Sequence, residues 1–386
     1  MPWVVVRGRW LAHLPIRGFV AMRTVVVGGG VIGCAIAYYL TKAGVQVTLV
    51  ERGEIGGEAS GAAAGMLIPP AGAAAPGPFR DLCVASLALY PSLIESIQRE
   101  SQISVECIDS GILVLAETPG LVQPLRAHAR RQSEGGRRAE WVEGDALHDL
   151  EPALSRRVLG AVYSPEEKHV NPGLVTRALA RAAEVAGAEI WEKAMLTGFI
   201  GRGARLTGVH TNAAQITDAD SIVLAAGPWT DDLTGRLRVR VPTPPMRGQM
   251  LAYRSTVVRH AIWGENGYLV PKAGGVVFAG ATVEDVGFRK KTTARALAGL
   301  RHMATALMPA LRSAEVVSAW AGLRPGSPDG LPIIGRLPGR ENVYVATGHF
   351  RNGILLAPIT GKLISQLILE GHAEMPLEAF RPERFS

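Results

Sequence analysis

The sequence predicts an α/β fold in two parts: a parallel layer drawn from separated stretches of chain, and an α+β part built on a mostly antiparallel sheet. Three observations predict it. Residues 24–52 read strand, glycine turn, apolar helix, strand, which is the order of a βαβ unit. From Val241 to Gly280 short β-rich runs alternate with turn residues, as in an antiparallel sheet with one covered face. Residues 342–369 again give strand, glycine loop and apolar helix, returning the end of the chain to the first layer.

The first unit is the most informative. A β-branched run over 24–27 suits a buried parallel strand and breaks into Gly28-Gly29-Gly30-Val31-Ile32-Gly33. Gly28 permits the tight turn, Gly30 lets backbone approach a pyrophosphate, and Gly33 lets helix and strand pack closely. Val31 and Ile32 open the helix, whose N-terminus favours an anion. Gly44 closes it as the residue after the cap, and a second strand over 45–50 ends at Glu51-Arg52. A carboxylate there accepts hydrogen bonds from both hydroxyls of an adenosine ribose and repels a 2′-phosphate. A structural βαβ turn is the plain alternative. The preceding strand, the following helix and the acid at the expected distance together favour a bound dinucleotide.

Residues 56–67 carry almost no side-chain bulk. A flexible linker would have such a composition, but not an ending in Gly-Met-Leu-Ile before a double proline. With Ala59, Ser60, Ala64, Gly65 and Met66, this run lets amides and one hydroxyl crowd an extended phosphate-bearing ligand, the first sign that the dinucleotide is FAD rather than NAD.

The remaining elements follow in order. A helix is expected over 79–100 on the nucleotide layer, then strands over 104–115 and a basic amphipathic helix over 121–132 as an inserted layer. Residues 171–186 are a helix with Pro172 in its first turn and Gly187 at its end, then a strand over 189–192. Leu196 and its two predecessors are expected near the adenine. Gly201-Arg202-Gly203 is a hairpin turn between short strands, not a second nucleotide motif. The buried strand that starts at Ser221 ends in Ala226 and Gly227, where small residues let chain pass close to a cofactor, although a plain strand exit reads the same. Residues 294–308 are a helix on the second sheet. The late loop Gly348-His349-Phe350-Arg351-Asn352-Gly353 leads through Ile354 and Leu355 into the last helix and is assigned to the flavin ring, where the helix start would stabilise negative charge at N1 and C2=O.

These assignments divide the chain into a discontinuous Rossmann-like FAD-binding domain (22–100, 170–235, 318–386) and a substrate domain (101–169, 236–317). Residues 1–21 have neither a long apolar core nor a small-residue cleavage site, so they read as an extension preceding the fold. The net charge of +7 comes from arginines scattered among acids and apolar residues without aromatic interleaving, a solvated basic face rather than a nucleic-acid surface. Such a field still draws in an anionic substrate. Cys34, Cys83 and Cys107 lack paired spacing, which fits a reducing, cytoplasmic setting, and neither they nor the nine histidines suggest a metal. No run of eighteen uninterrupted apolar residues occurs, so no membrane span is expected. The sequence leaves homo-oligomer formation open.

Together, residues 28–51, 59–67, Trp320-Ala321-Gly322-Leu323-Arg324-Pro325 with 329–335, and 348–358 resemble the D-amino-acid-oxidase-type FAD oxidoreductases. The stretch GHFRNGILLAP is most similar to the glycine oxidases of thiamin biosynthesis. The resemblance implies oxidation of glycine, sarcosine or short D-amino acids to an imine, hydrolysis to the 2-oxo acid, and electrons passed to O2 as H2O2. In such enzymes the imine can supply the glycine-derived part of the thiamin thiazole. By matched position, Arg324 grips the substrate carboxylate with a bidentate guanidinium, Tyr268 helps orient it, and Arg351 is a second arginine at the site. The plain readings are a salt-bridged Arg324, a core Tyr268 and an Arg351 that braces loop carbonyls.

His349 is expected against the flavin rather than as a base, because hydride loss from Cα needs no side-chain base when the amine enters neutral; no catalytic acid or base is assigned. Asn266 and Val283 stand where relatives can carry histidine and methionine, which bears on side-chain preference. No second glycine motif offers a site for a nicotinamide nucleotide, so the substrate itself should reduce the flavin. With no cysteine beyond Cys107, the FAD is expected to be noncovalent. Two alternatives remain: a D-amino-acid or sarcosine dehydrogenase using another acceptor, and a flavin-bearing assembly or RNA-modification subunit without turnover of its own.

Overall fold

A computed structural model describes residues 22–69 and 77–385; the expected N-terminal extension lies outside the described residues. The first layer is a six-stranded sheet in the order Ile333–Arg336, Val343–Thr347, Ser221–Leu224, Arg23–Val27, Gln46–Val50, Glu189–Trp191. Only the Ile333–Arg336 strand runs antiparallel to its neighbour. Its central strands are Val- and Ile-rich because both faces are covered. On one face Val31–Lys42 packs between Pro172–Val185 and Gly353–Leu369, with Pro78–Ser101 beyond. The approach of the first and last helices is tight: a Cβ on Gly361 would stand 2.7 Å from Tyr39 Cδ2 and 2.9 Å from the Ala35 backbone. The other face carries the three-stranded antiparallel sheet Leu196–Arg202, Arg205–Thr211, Gln215–Ile216, and the expected hairpin turn passes through Gly203 at φ +66.

Gly353–Leu369 is the backbone of a longer apolar stretch, Phe350–Leu369, which is long and apolar enough to cross a membrane by length and composition. In this fold 67% of its apolar 18-residue window is buried, against the first helix and Pro78–Ser101, so it is a core helix.

The second part is a nine-stranded sheet. It runs from Glu284–Asp285 through Pro245–Arg254, Val276–Gly280, Gly267–Lys272, Ala261–Gly264, Ile112–Ala116 and Gly160–Ser164 to Glu140–Val142, and Val316–Pro325 lies along the free edge of Pro245–Arg254. All pairs are antiparallel except Ala261–Gly264 with Ile112–Ala116. Ala294–Leu307 covers one core of this sheet, and Pro119–Glu134 covers a smaller one around Ala116, Leu125 and Val162.

Two expectations change. Residues 318–325 do not return to the nucleotide layer: Val316–Pro325 pairs with Pro245–Arg254, Trp320 opposite Met250 and Arg324 opposite Met246, and the chain leaves the sheet only at Pro325. A ten-residue antiparallel ladder decides this, and its partner lies too far along the chain for local pattern to show it. Strand structure expected from residue 104 begins only at Ile112, because Gln102 (φ 60) and Glu106 (φ 51) turn through the left-handed region and leave a single bridge from Ile108 to His169.

Candidate active site

A cavity of about 730 Å³ runs between the two sheets, from the first glycine turn to the strand that carries Arg324. At its nucleotide end the chain approaches itself without side chains. A Cβ on Gly28 (φ +114) would stand 2.7 Å from the Ala225 carbonyl carbon, and one on Gly33 would run into the Gly28 carbonyl. The first helix therefore starts at the cavity wall with its amides directed at it. Ser60 Oγ accepts a hydrogen bond from Val31 N at 2.9 Å, which leaves the hydroxyl proton free to donate to a phosphate. Glu51 accepts from Gly29 N at 2.6 Å and Gly53 N at 2.8 Å, one on each oxygen; each oxygen keeps a lone pair for a ribose hydroxyl. Arg52 stacks 3.6 Å above the Trp229 ring and pairs with Glu58 at 3.0 Å, forming one rim of this end.

Along the middle of the cavity lie Ala59, Ala62, Ala63, Ala64, Gly65 and Met66 on one side and Leu196, Ala226 and Gly227 on the other. A Cβ on Gly322 would stand 2.7 Å from Ala62 Cβ, so bulk is excluded where the two sheets meet. At the far end Val343–Thr347 passes through Gly348 into His349, Phe350, Arg351 and Asn352 and then into the last helix. Phe350 holds φ +47, a conformation costly for an aromatic residue. His349 lies under the wall with Nε2 3.0 Å from Thr360 Oγ1, its Nδ1 is buried without a partner, and burial lowers its pKa to about 3. It is neutral throughout the physiological range.

Arg324 reaches the same end from the opposite sheet. Its Nη1 donates to the Thr282 carbonyl at 3.0 Å, and the guanidinium lies flat over Gly248, where a Cβ would stand 2.5 Å from Cζ and Nη1. Behind Thr282 is a buried polar network. Gln249 N donates to Thr282 Oγ1 at 2.9 Å, Gln249 Nε2 donates to Glu284 at 2.7 Å, and Arg247 pairs with the same carboxylate. The guanidiniums of Arg324 and Arg351 flank one ring, 6.0 and 5.3 Å from the Phe350 centroid. Among the described residues neither has a carboxylate partner; burial and then the Arg324 charge lower the pKa of Arg351. Tyr268 O–H donates to Met250 Sδ at 3.2 Å, a weak bond that a carboxylate would displace. Burial raises its pKa while the two arginines oppose the rise.

The cavity walls fit FAD: a glycine cradle and helix start for the pyrophosphate, an acid for the ribose, and a small-residue channel long enough to reach a second glycine loop. The sequence profile of the FAD dependent oxidoreductase family matches residues 23–367. The chain belongs to that family. Glycine oxidase of Bacillus licheniformis is 33% identical over 364 residues, covering 94% of this chain and 97% of the relative. The bifunctional protein ThiO/ThiG of a Nostoc species is 35% identical over 93% of this chain, which spans 54% of that longer protein. A crystal structure of glycine oxidase from Geobacillus kaustophilus superposes with a TM-score of 0.89 at 31% identity, covering 94% of this chain and 98% of that one. This FAD-dependent oxidoreductase is therefore of the glycine oxidase type.

Most expected site residues of the flavoprotein line the cavity: Gly28, Gly30, Val31, Ile32, Glu51, Arg52, Ala59, Ser60, Ala64, Gly65, Met66, Leu196, Ala226, Gly227, Tyr268, Arg324, and His349 through Ile354. Three do not. Gly33 packs helix on strand, Gly348 (φ +71) turns the chain against Ile333, and Leu355 is buried in the core. Sequence reading missed Gly248 and Trp229, and missed the Arg247–Gln249–Glu284 network. The one signal for Gly248 was a glycine inside an otherwise regular strand pattern, a mark of close approach by another group. None of the three cysteines lines the cavity.

Proposed function

We propose that the chain oxidises glycine, and with it other small amines such as sarcosine and short D-amino acids, to an imine that water converts to the 2-oxo acid, with release of ammonia or, from sarcosine, methylamine. For glycine the balance is glycine + O2 + H2O → glyoxylate + NH3 + H2O2. FAD held by these walls would supply the two-electron acceptor for the Cα–H bond, with O2 as the final acceptor.

The observation that carries the reading is the pair of uncompensated guanidiniums, Arg324 and Arg351, at the end of the cavity opposite the nucleotide cradle. Two unpaired cations in a partly desolvated site favour an anionic ligand. Arg324 presents parallel donors to a carboxylate, Tyr268 exchanges its thioether for a carboxylate oxygen, and Trp263, Asn266 and Val283 limit the space beside Cα. Burial makes His349 a weak base and keeps Tyr268 protonated, so neither is suited to take the amine proton, which favours entry of the amine as the free base.

The reading keeps the two-domain division, with the crossing after Pro325, a reducing cytoplasmic setting, and a contribution of the imine to thiamin thiazole, which the ThiO/ThiG relatives support. Glycine added anaerobically should bleach the flavin, and in air should give peroxide and glyoxylate in equal amounts. Bleaching without peroxide would point to a dehydrogenase. A flavin left unbleached by a panel of small amines would overturn the assignment.

A further inference from the structure

Lys272, the last residue of its strand, sits behind the cavity wall rather than in it. Its Nζ donates to the carbonyl of Ala64 and, at 3.0 Å, to that of Val170, with the Phe278 ring 5.4 Å away. Between those carbonyls the wall has no slack. Val170 N donates to Gly65 O at 2.9 Å, Gly65 holds φ +85 with Pro172 Cγ 2.9 Å from where its Cβ would be, and Met66 pairs with His169. Ala64, Gly65 and Met66 face the cavity. One ammonium thus joins the strand Gly267–Lys272, the strand Met66–Leu67 and the start of Pro172–Val185 at the cofactor wall.

We propose that Lys272 is a positioning residue for the cofactor, its cation holding the Ala64–Met66 backbone in the form that receives the flavin. This deepens the functional reading and rests on it. Burial lowers the lysine to about 7, and the Glu106 carboxylate, held by Asn171 Nδ2 at 2.9 Å, opposes that fall. His169, fully buried with neither ring nitrogen partnered, stays at about 3 and does not titrate in this range. Glu167, lifted to about 7 by burial and paired with Arg137, precedes the Lys168–His169 strand and also titrates there.

The sign follows. In the FAD-free protein the Lys272 charge is lost as pH rises through about 7; a bound form that needs the cation retains it to higher pH, so affinity for FAD is greatest below 7 and falls above it. FAD titrations of the stripped protein at pH 6 to 9 test this. The parent should weaken three- to tenfold across the range. K272R, always charged, should hold the low-pH affinity across it, apart from any share due to Glu167, which stays in both profiles. K272M should bind at least tenfold more weakly at pH 6 and shift the visible spectrum of the bound flavin. A K272M protein that binds like the parent, or a K272R profile that matches the parent's, would overturn the role; should K272M fail to fold, the K272R comparison decides alone. A parent that binds no FAD at any pH would overturn the cavity reading itself.

Discussion

Gly248 and Arg324 work as one unit, since the guanidinium occupies the volume a side chain at 248 would need. R324A should raise the KM for glycine and lower kcat/KM by about 2 to 5 kcal/mol of lost binding, roughly 30- to several-thousand-fold, while FAD content stays at the parent level. G248A pushes the guanidinium off its place without removing it, so steady-state kinetics should show at least a tenfold rise in KM with an unchanged flavin spectrum. Because both changes act on one group, the double variant should be no worse than R324A alone. Additive losses would mean that Gly248 serves something other than Arg324, and unchanged R324A kinetics would remove the arginine from the site.

At the scale of the element, the start of the first helix has only the Ser60 hydroxyl on Val31 N where a cap would normally stand, since Gly30 has no side chain to offer. S60A removes the hydroxyl that can donate to a phosphate and frees the amide it holds. Fluorescence titration should show FAD binding weakened about 10- to 100-fold, from a charge-assisted hydrogen bond of about 1.5 to 3 kcal/mol; parent-like affinity would place the pyrophosphate elsewhere. This element was legible in the sequence because its glycines, its helix and Glu51 all lie within one βαβ unit and answer to local rules. Arg324 and Tyr268 were legible only through their resemblance to a family. Gly248, Glu284 and the sheet position of Val316–Pro325 were not, because each is defined by a partner across a ladder or a side-chain network distant in sequence.

For the whole molecule, the cavity takes its walls from both large sheets, so a cofactor seated there should join the two cores into one unfolding unit. No cysteine lines that cavity, and the FAD is expected to be held noncovalently: acid precipitation should release the yellow colour to the supernatant, and colour kept in the pellet would contradict this. The size of the stabilisation tells whether the cores unfold together. FAD at 100 times its dissociation constant adds about 2.7 kcal/mol. Spread over an unfolding entropy of about 2.1 cal/mol/K per residue for the described residues, that raises a single melting transition by roughly 3 to 4 °C. If only the nucleotide layer, about half the chain, responded as a unit, calorimetry would show two transitions, one moving by roughly 6 °C and the other fixed. With Arg324, Tyr268 and Met250 contributed by the antiparallel sheet to the same cavity as Gly28 and Glu51, the single shifted transition is the expected result.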